Sequence, residues 1–177
     1  MAVSIGNDTV KDISASKADW SREAPSRWWD PSCRLLKCLR DYQALEGRPL
    51  SRTRRKLVAL RHKFWSAVTG ADLPLTTRIG GGLIMLHPNG VVVHPDAVIG
   101  PNCILFQQVT LGTNRGDKGA PQLGGHVDVG PGAKILGPVT IGDHAVIGAN
   151  AVVLHDVPAG ATAVGVPARI LPGRAQG

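Results

Sequence analysis

The chain has 177 residues, a length that suits one domain with a short appendage and not two full domains. Its formal net charge is +7, and all of that excess lies in residues 1–70, which hold fourteen basic and seven acidic residues. Aromatic residues are scarce after residue 66, which excludes recognition of single-stranded nucleic acid by base stacking. The basic segment is interpreted either as a solvated helix face or as a contact for an anionic surface.

Three cysteines, Cys33, Cys38 and Cys103, are too few and too irregularly spaced for a disulfide framework or a zinc site. Charged residues interrupt the N-terminus where a signal peptide needs an apolar run. No stretch of about 18 apolar residues occurs, so we predict no membrane span and a cytoplasmic protein.

Residues 1–70 are predicted to be a basic helical segment, with its first fifteen or so residues mobile. Apolar spacing predicts a helix from Ser32 to about Leu45, with Ser32 as its cap. A second helix is predicted from about Ser51 to Val68, ended by Gly70. We expect both helices to pack on each other, on the following domain or on a neighbouring subunit. The second helix has an apolar face formed by Leu57, Leu60, Phe64 and Val68.

A six-residue repeat dominates the stretch from Leu123 to Pro158. An aliphatic residue recurs at the first position of each block, at Leu123, Val129, Ile135, Ile141, Ile147 and Val153. A second small or branched apolar residue follows four places later, at Val127, Ala133, Val139, Ala145, Ala151 and Val157. Six is a multiple of the strand period of two, so both positions of a block face the same side. The repeat predicts short strands stacked in a coil, a β-helix, and a β-sandwich with irregular strand spacing is the alternative.

The repeat begins earlier, with one change of phase. Ile79, Met85 and Val91 are six apart, whereas a ladder from Val93 to Leu111 lies two residues out of that phase. The slip falls at His87–Gly90, and departures from a regular repeat often carry function. Residues 113–122 are predicted to leave the coil as a loop, because Asp117 would otherwise be buried unpaired.

Of the six histidines, His87 alone lies at the phase slip. We interpret His62, His126, His144 and His155 as solvated surface side chains. Cys103 follows the strand phase and is interpreted as a small core residue.

The hexads, together with GGGLIMLHPNGVVV, VIGPNCILFQQVTLG, GPGAKILG and AVGVPARIL over about residues 70–172, resemble the serine acetyltransferase branch of the hexapeptide-repeat acyltransferases. The resemblance implies a mainly β fold, a left-handed parallel β-helix over residues 71–172 with a short tail at 173–177. It also implies that His87 is a general base oriented by Asp72, fifteen residues earlier. A neutral imidazole can take a hydroxyl proton, and a carboxylate fixes its tautomer.

The sequence departs from that branch on the acceptor side. Members specific for serine carry an aspartate where this chain has Leu86, and an Arg-His pair where it has Gly119-Ala120. The resemblance therefore suggests an altered acceptor site, with a hydroxyl of a polysaccharide precursor fitting slightly better than L-serine. The N-terminal segment, with Ala18-Asp19-Trp20 and two basic helices, also resembles the short relatives linked to exopolysaccharide synthesis. Leu86 and Ala120 are candidate acceptor positions, and His94 or Gln107 are candidates to replace the lost contacts.

On the donor side, the resemblance implies acetyl-CoA as co-substrate, without a metal, in a groove between two subunits. Candidate contacts are Gly132, Ala133, Lys134, Gly148, Ala149 and Arg169. The resemblance further implies a homotrimer, which in some family members is paired into a hexamer through the N-terminal helices. The end LPGRAQG makes a cysteine synthase complex unexpected. The alternative to an enzyme is a non-catalytic β-helix that serves as a scaffold or binding module.

Overall fold

The protein is described here from a computed structural model that covers residues 13–47, 51–116 and 118–171. Two helices, α1 (Pro31–Ala44) and α2 (Ser51–Thr69), precede fourteen short strands. Asp30 caps α1, since its side chain accepts a hydrogen bond from the Cys33 N–H, and Pro31 occupies the first turn. The prediction that Ser32 caps this helix is wrong, because the Ser32 hydroxyl instead donates to the Met85 carbonyl at 3.2 Å.

The strands form three parallel sheets around one core. The first sheet contains β1 (Arg78–Ile79), β4 (Val98–Ile99), β7 (Gln122–Leu123) and β10 (Thr140–Ile141). The second contains β2 (Ile84–Met85), β5 (Ile104–Leu105), β8 (Asp128–Val129), β11 (Val146–Ile147), β13 (Thr162–Val164) and β14 (Arg169–Leu171), of which β14 alone is antiparallel. The third contains β3 (Val92–Val93), β6 (Thr110–Gly112), β9 (Lys134–Leu136) and β12 (Val152–Val153). The chain visits the sheets in turn, which makes a β-solenoid and confirms the predicted mainly β fold with N-terminal helices.

The repeat fills the interior as predicted. The six aliphatic residues from Leu123 to Val153 are each at most 3% exposed, and Cys103 is also buried. Burial raises the pKa of Cys103 to about 12. The strands of successive coils pair in parallel, and of the described strands only β14, at the end, is antiparallel. This arrangement excludes the β-sandwich alternative.

Two departures from the six-residue step shape the solenoid. Met85 pairs with Leu105 and Val93 with Leu111, so the first coil holds two more residues at the predicted slip than the next. The prediction that Val157 is the fifth residue of the last block is wrong. Val157 pairs with Ile141, so it occupies the first position of a block. The last coil has lost two residues between Val153 and that bridge.

The predicted loop links the first-position residues Leu111 and Leu123 of consecutive strands, twelve residues apart. Its described residues 113–116 and 118–119 are exposed, whereas Asp117, on which the prediction rested, lies outside the described residues. The excursion ends earlier than predicted. Ala120 is buried, the Pro121 carbonyl accepts from the Val98 N–H, and Gln122 is already in β7.

Residues 13–23 form a strap across one corner of the solenoid, which corrects the expected mobility of residues 13–15. The Asn102 side chain accepts from the Asp19 N–H and donates to the Ser14 and Lys17 carbonyls at 2.7 and 2.8 Å. A Cβ at Gly125 would lie 1.7 Å from the Ala15 carbonyl oxygen, so only glycine lets the strap approach. Residues 1–12 lie outside the described range.

The helices pack as one layer against the solenoid. α1 buries Leu35, Leu36 and Leu39 in the common core, and α2 packs along α1. The predicted apolar face of α2 has no cover in the described chain, since Leu57 and Leu60 are 63% and 67% exposed. None of the described helices is long and apolar enough to cross a membrane.

Candidate active site

His87 lies in the two-residue expansion of the first coil. The inserted residues follow β2, and they place His87 at an exposed corner between the second and third sheets. Its φ of 53° is left-handed, an uncommon conformation for a residue with a side chain. The regular left-handed residues of this corner on successive coils are Gly90, Gln108, Gly132 and Asn150, so the left-handed His87 is an additional one that belongs to the expansion.

A cleft of about 470 Å³ opens beside His87. One wall is the segment from Leu83 to Pro88, and the other is the N-terminal segment from Arg22 to the start of α1. The Arg22 guanidinium is bound to the Gly82 and Asn102 carbonyls, so this wall is fixed to the solenoid. The predicted base therefore borders an open cleft with basic and apolar lining.

Cys33 also lines this cleft. Burial, and then the carboxylate of Asp30, raise the pKa of Cys33 to about 12. A thiol is a nucleophile only as its thiolate, so Cys33 is not suited to covalent catalysis at neutral pH. His87 is then the side chain in the cleft best suited to move a proton.

Asp72 is brought to the same corner by backbone pairing. It forms a parallel bridge with Val92, and the Gly90 N–H donates to the Gly70 carbonyl at 2.8 Å. No hydrogen bond or ion pair joins the side chains of Asp72 and His87, both of which are described and exposed. Catalytic hydrogen bonds are often open in unliganded enzymes, and the Asp72 and His87 pairing stays a prediction.

Gln107 occupies the position equivalent to Asn89 on the next coil, because the Gln108 N–H donates to the Asn89 carbonyl as the Gly132 N–H donates to the Gln107 carbonyl. His87 lies two residues before Asn89, within the expansion. The side-chain oxygen Oε1 of Gln107 is buried and accepts no hydrogen bond from the described residues. A buried acceptor without a partner costs free energy, on the order of 1–3 kcal/mol. The unsatisfied oxygen makes Gln107 the best supported of the candidate acceptor contacts.

The predicted donor residues follow the same corner. Successive strands of the second sheet pair Leu105 with Val129 and Val129 with Ile147. The Gln108, Gly132 and Asn150 N–H groups donate to the Asn89, Gln107 and Pro131 carbonyls, respectively. Asn89, Gln107, Pro131 and Ala149 therefore form one column, with His87 two residues before its first member and with Gly132 and Gly148 next to it. Strands lie about 4.8 Å apart, so the column is about 14 Å long.

Backbone features of this column suit close approach of a ligand only in part. Gly132 is buried with φ of 73°, and a Cβ there would lie 2.1 Å from Asn150 Oδ1. The Ala133 side chain lies in the core, whereas Ala149 is exposed. Arg169 is exposed on β14 and pairs with Val164, whose side chain contacts the Gly148 position. Arg169 therefore lies at the far end of the column from His87.

Lys134 is less available to a phosphate than the sequence suggests. Its ammonium donates to the Gln108 and Gly132 carbonyls at 3.0 and 2.8 Å. These bonds clamp two adjacent coils at the corner. A contact with an anionic ligand would have to compete with them or share the third ammonium proton.

The remaining acceptor candidates are dispersed. Leu86 is 38% exposed in the cleft wall beside His87. His94 lies outside that wall, and its Nδ1 accepts from the Asp96 N–H at 3.2 Å. Ala120 is 6% exposed in the hydrophobic core and offers no polar group. Of these candidates Leu86 lies next to His87, and Gln107 lies at the same corner on the next coil.

Two histidines interpreted as solvated are buried. His62 is 9% exposed, and its Nε2 bonds the Leu73 carbonyl at 2.8 Å, so Nε2 carries the proton. His126 is 5% exposed, with its Nδ1 2.8 Å from Nδ1 of His144. Burial lowers the pKa of both His62 and His126. His144 and His155 are exposed as predicted.

Asp128 is a polar residue that the sequence reasoning passed over. It points outward from β8, where the repeat predicts a solvated side chain, yet its Oδ1 is buried without a hydrogen bond from the described residues. Burial raises the pKa of Asp128, opposed by nearby His126 and Arg22. No sequence signal separates such a carboxylate from an ordinary outward residue.

A larger cavity of about 540 Å³ lies between the helices and the first sheet, lined by Tyr42, Arg55 and Arg78 among others. It contains none of the predicted site residues, so its size does not make it the candidate site. Within residues 13–47, 51–116 and 118–171, no three His, Cys, Asp or Glu side chains are grouped to hold a metal ion.

The solenoid of hexads defines a class, the hexapeptide-repeat transferases. Residues 120–155 match the family model described as bacterial transferase hexapeptide (six repeats). The serine acetyltransferase of Helicobacter pylori strain J99 is 40% identical over 143 residues, which cover 80% of this chain and 81% of that protein. The chain belongs to the serine acetyltransferase family.

Other relatives are longer. The serine acetyltransferase of Synechococcus elongatus is 42% identical over 106 residues, covering 59% of this chain and 43% of the relative. The soybean serine acetyltransferase apoenzyme has a TM-score of 0.69 and 38% identity, covering 80% of this chain and 57% of that one. The enzyme of Neisseria gonorrhoeae has a TM-score of 0.71 and 33% identity, covering 84% and 57%. This chain therefore spans about half the length of several relatives.

Proposed function

We propose that this protein is an O-acetyltransferase that moves an acetyl group from acetyl-CoA to a hydroxyl, with L-serine as the first acceptor. Family membership supports the reaction, and a soybean relative of similar fold has been solved in complex with serine, with 38% identity. The column from Asn89 to Ala149 carries the proposal, because it begins two residues after His87 and so puts the candidate base and the candidate donor contacts at one corner of the solenoid.

In the proposed reaction, His87 takes the proton of the acceptor hydroxyl as its oxygen attacks the thioester carbonyl carbon. The tetrahedral oxyanion is stabilised by backbone N–H groups of the corner. Its collapse forms the ester and breaks the C–S bond. The CoA thiolate leaves and takes the proton back from the His87 imidazolium. Asp72 acts as a positioning residue that orients the imidazole, and Gln107 binds the acceptor through its unsatisfied oxygen.

A saccharide hydroxyl is the second candidate acceptor. The apolar Leu86 lines the cleft where the family resemblance expects a carboxylate, and Gly119-Ala120 stand where it expects an Arg-His pair. An amino acid whose ammonium and carboxylate stay unpaired loses charged hydrogen bonds, each worth about 1.5–3 kcal/mol. A neutral sugar has no such requirement.

The test follows release of free CoA thiol from acetyl-CoA with L-serine or with neutral hexoses as acceptors. We expect turnover with at least one acceptor and a loss of roughly 10²–10⁴-fold in kcat for His87→Ala. The exposed His155 provides a matched control, His155→Ala, which should keep full turnover. Full activity of the His87→Ala variant would remove the mechanism.

The non-catalytic scaffold makes a different prediction. A scaffold should neither bind CoA in calorimetry nor release thiol with any acceptor. CoA binding without turnover would instead point to an untested acceptor. We also expect a homotrimer or a hexamer made of two trimers, and light scattering distinguishes the two.

A further inference from the structure

A stripe of exposed apolar side chains runs along α2. Leu57, Leu60, Phe64 and Val68 are 63%, 67%, 57% and 42% exposed. Their spacing of three and four residues places them on one helix face over about 17 Å. The opposite face, which includes His62 and Trp65, packs toward α1 and the solenoid. We call this set the α2 stripe.

Aromatic rings from the preceding segment extend the stripe. The Phe64 ring lies 5.1 Å from that of Trp65, which lies 5.5 Å from Trp29, and Trp29 lies 5.8 Å from Trp28. Trp28 is 84% exposed and Trp29 49%. Contiguous exposed apolar surface of this kind marks an interaction site.

Basic residues border the stripe on both sides. At about 100° per residue, Arg54 falls on one side of the stripe, and Lys56 and Lys63 fall on the other. All three are exposed and form no ion pair within the described parts of the chain. Arg55 and Arg61 are instead engaged by α1, over the Tyr42 ring and with Asp41.

Charge decides between the possible occupants of the stripe. The sequence of α2 contains six basic and no acidic residues. A second copy laid on the stripe would bring two such helices together, and like charges would oppose the contact. An anionic lipid surface matches both the apolar stripe and its basic borders. Helices with Phe, Leu and Trp on one face and Lys or Arg beside them lie in the headgroup region of membranes.

We propose that the α2 stripe, with Trp28 and Trp29, binds the surface of anionic membranes. The proposed contact is peripheral. The α2 stripe lies outside the cleft beside His87, whereas Trp29 also lines that cleft, so substitutions within α2 test the contact without changing the cleft lining. The contact would place an acetyltransferase next to acceptors made at a membrane.

The test is flotation of the full chain with vesicles of phosphatidylcholine containing 30% phosphatidylglycerol. We expect binding at low salt, much less in 0.5 M NaCl, and none to pure phosphatidylcholine. Leu60→Ser with Phe64→Ser should weaken binding at least tenfold, because two side chains lose their burial. Lys56→Gln with Lys63→Gln should weaken it roughly thirtyfold, because each basic residue contributes near an anionic surface.

Matched controls lie elsewhere on the exposed surface. Arg115→Gln with Lys118→Gln removes the same charge from the loop, and Leu154→Ser removes an exposed apolar group from the solenoid. Both should float like the parent protein, and thermal melts verify that every variant is folded. Absence of flotation by the parent, or equal binding of the α2 variants, would overturn the proposal. A doubling of molar mass that Phe64→Ser abolishes would make the stripe an interface between copies and overturn it as well.

Discussion

Gln107 lies one strand spacing from Asn89, two residues after His87, and its side-chain oxygen is buried without a hydrogen bond from the described residues. The Gln108 N–H donates to the Asn89 carbonyl, so Gln107 is in register with the chain just after the expansion that holds His87. Gln107 thus lies at the same corner as His87, one coil away. A polar group left unsatisfied near a candidate base indicates a place for a ligand.

Replacement of Gln107 by leucine should separate binding from stability. We expect Gln107→Leu to raise the KM for the acceptor about tenfold or more, because a hydrogen bond to a charged or hydroxyl group is lost. The free energy of unfolding should stay the same or rise slightly, since no satisfied hydrogen bond is removed. Gln122→Leu, at an exposed strand position remote from His87, is the control. An unchanged KM together with lower stability would assign Gln107 a purely structural role.

Asp72→Asn tests whether the two side chains at the corner act together. We expect kcat to fall roughly 10²–10⁴-fold, because an amide neither fixes the tautomer nor stabilises the imidazolium. The acid limb of the pH–rate profile should move to lower pH, which a merely structural defect would not produce. Asp96→Asn, beside His94, is the matched control. An unaltered profile would show that Asp72 does not act on the His87 imidazole during turnover.

Much of this fold could be predicted from the sequence because its core repeats every six residues. The phase slip at His87 and the excursion after Leu111 were visible as breaks in that repeat. The Asp30 cap could also have been found, since Pro31 follows it and proline favours the first turn of a helix.

The predictions from the sequence that were wrong concern contacts between coils. His126 occupies a polar corner position, and only the fold reveals that His144 covers it from the next coil. The strap has no periodicity, so nothing in its sequence predicts its binding to Asn102. The unsatisfied oxygens of Gln107 and Asp128 likewise depend on neighbours that a repeat does not specify.

The buried histidines predict a loss of stability in mild acid. Burial lowers the pKa of His62 and His126 in the folded protein below the unfolded value of about 6.5. Below that pH the unfolded chain binds more protons than the folded one, so the free energy of unfolding falls as pH falls. Protonating both His126 and His144 also removes the acceptor of their hydrogen bond. Urea unfolding at pH 7.5 and 5.0 measures the change.

Two substitutions test which histidine causes this dependence of stability on pH. His126→Gln should reduce the difference between the two pH values, whereas His155→Gln, on the exposed surface, should leave it unchanged. A difference that survives in His126→Gln with the same size would mean that the contact with His144 does not contribute. The remaining part is then tested in His62→Gln, whose ring is held by the Leu73 carbonyl.

Asn102 should be the residue on which the strap depends most. Its side chain makes three hydrogen bonds to the strap, and Asn102→Ala would leave the Asp19 N–H and two carbonyls without these partners. We expect a loss of about 2–4 kcal/mol in the free energy of unfolding, with faster proteolysis within residues 13–23. Asn150→Ala is the matched control, because Asn150 has nearly the same φ, 56° against 61°, but no side-chain hydrogen bond to the described residues. Both variants carry the cost of placing alanine in a left-handed conformation, so the difference between them measures the strap contacts alone. Equal losses in the two variants would show that the strap adds nothing to the stability of the solenoid.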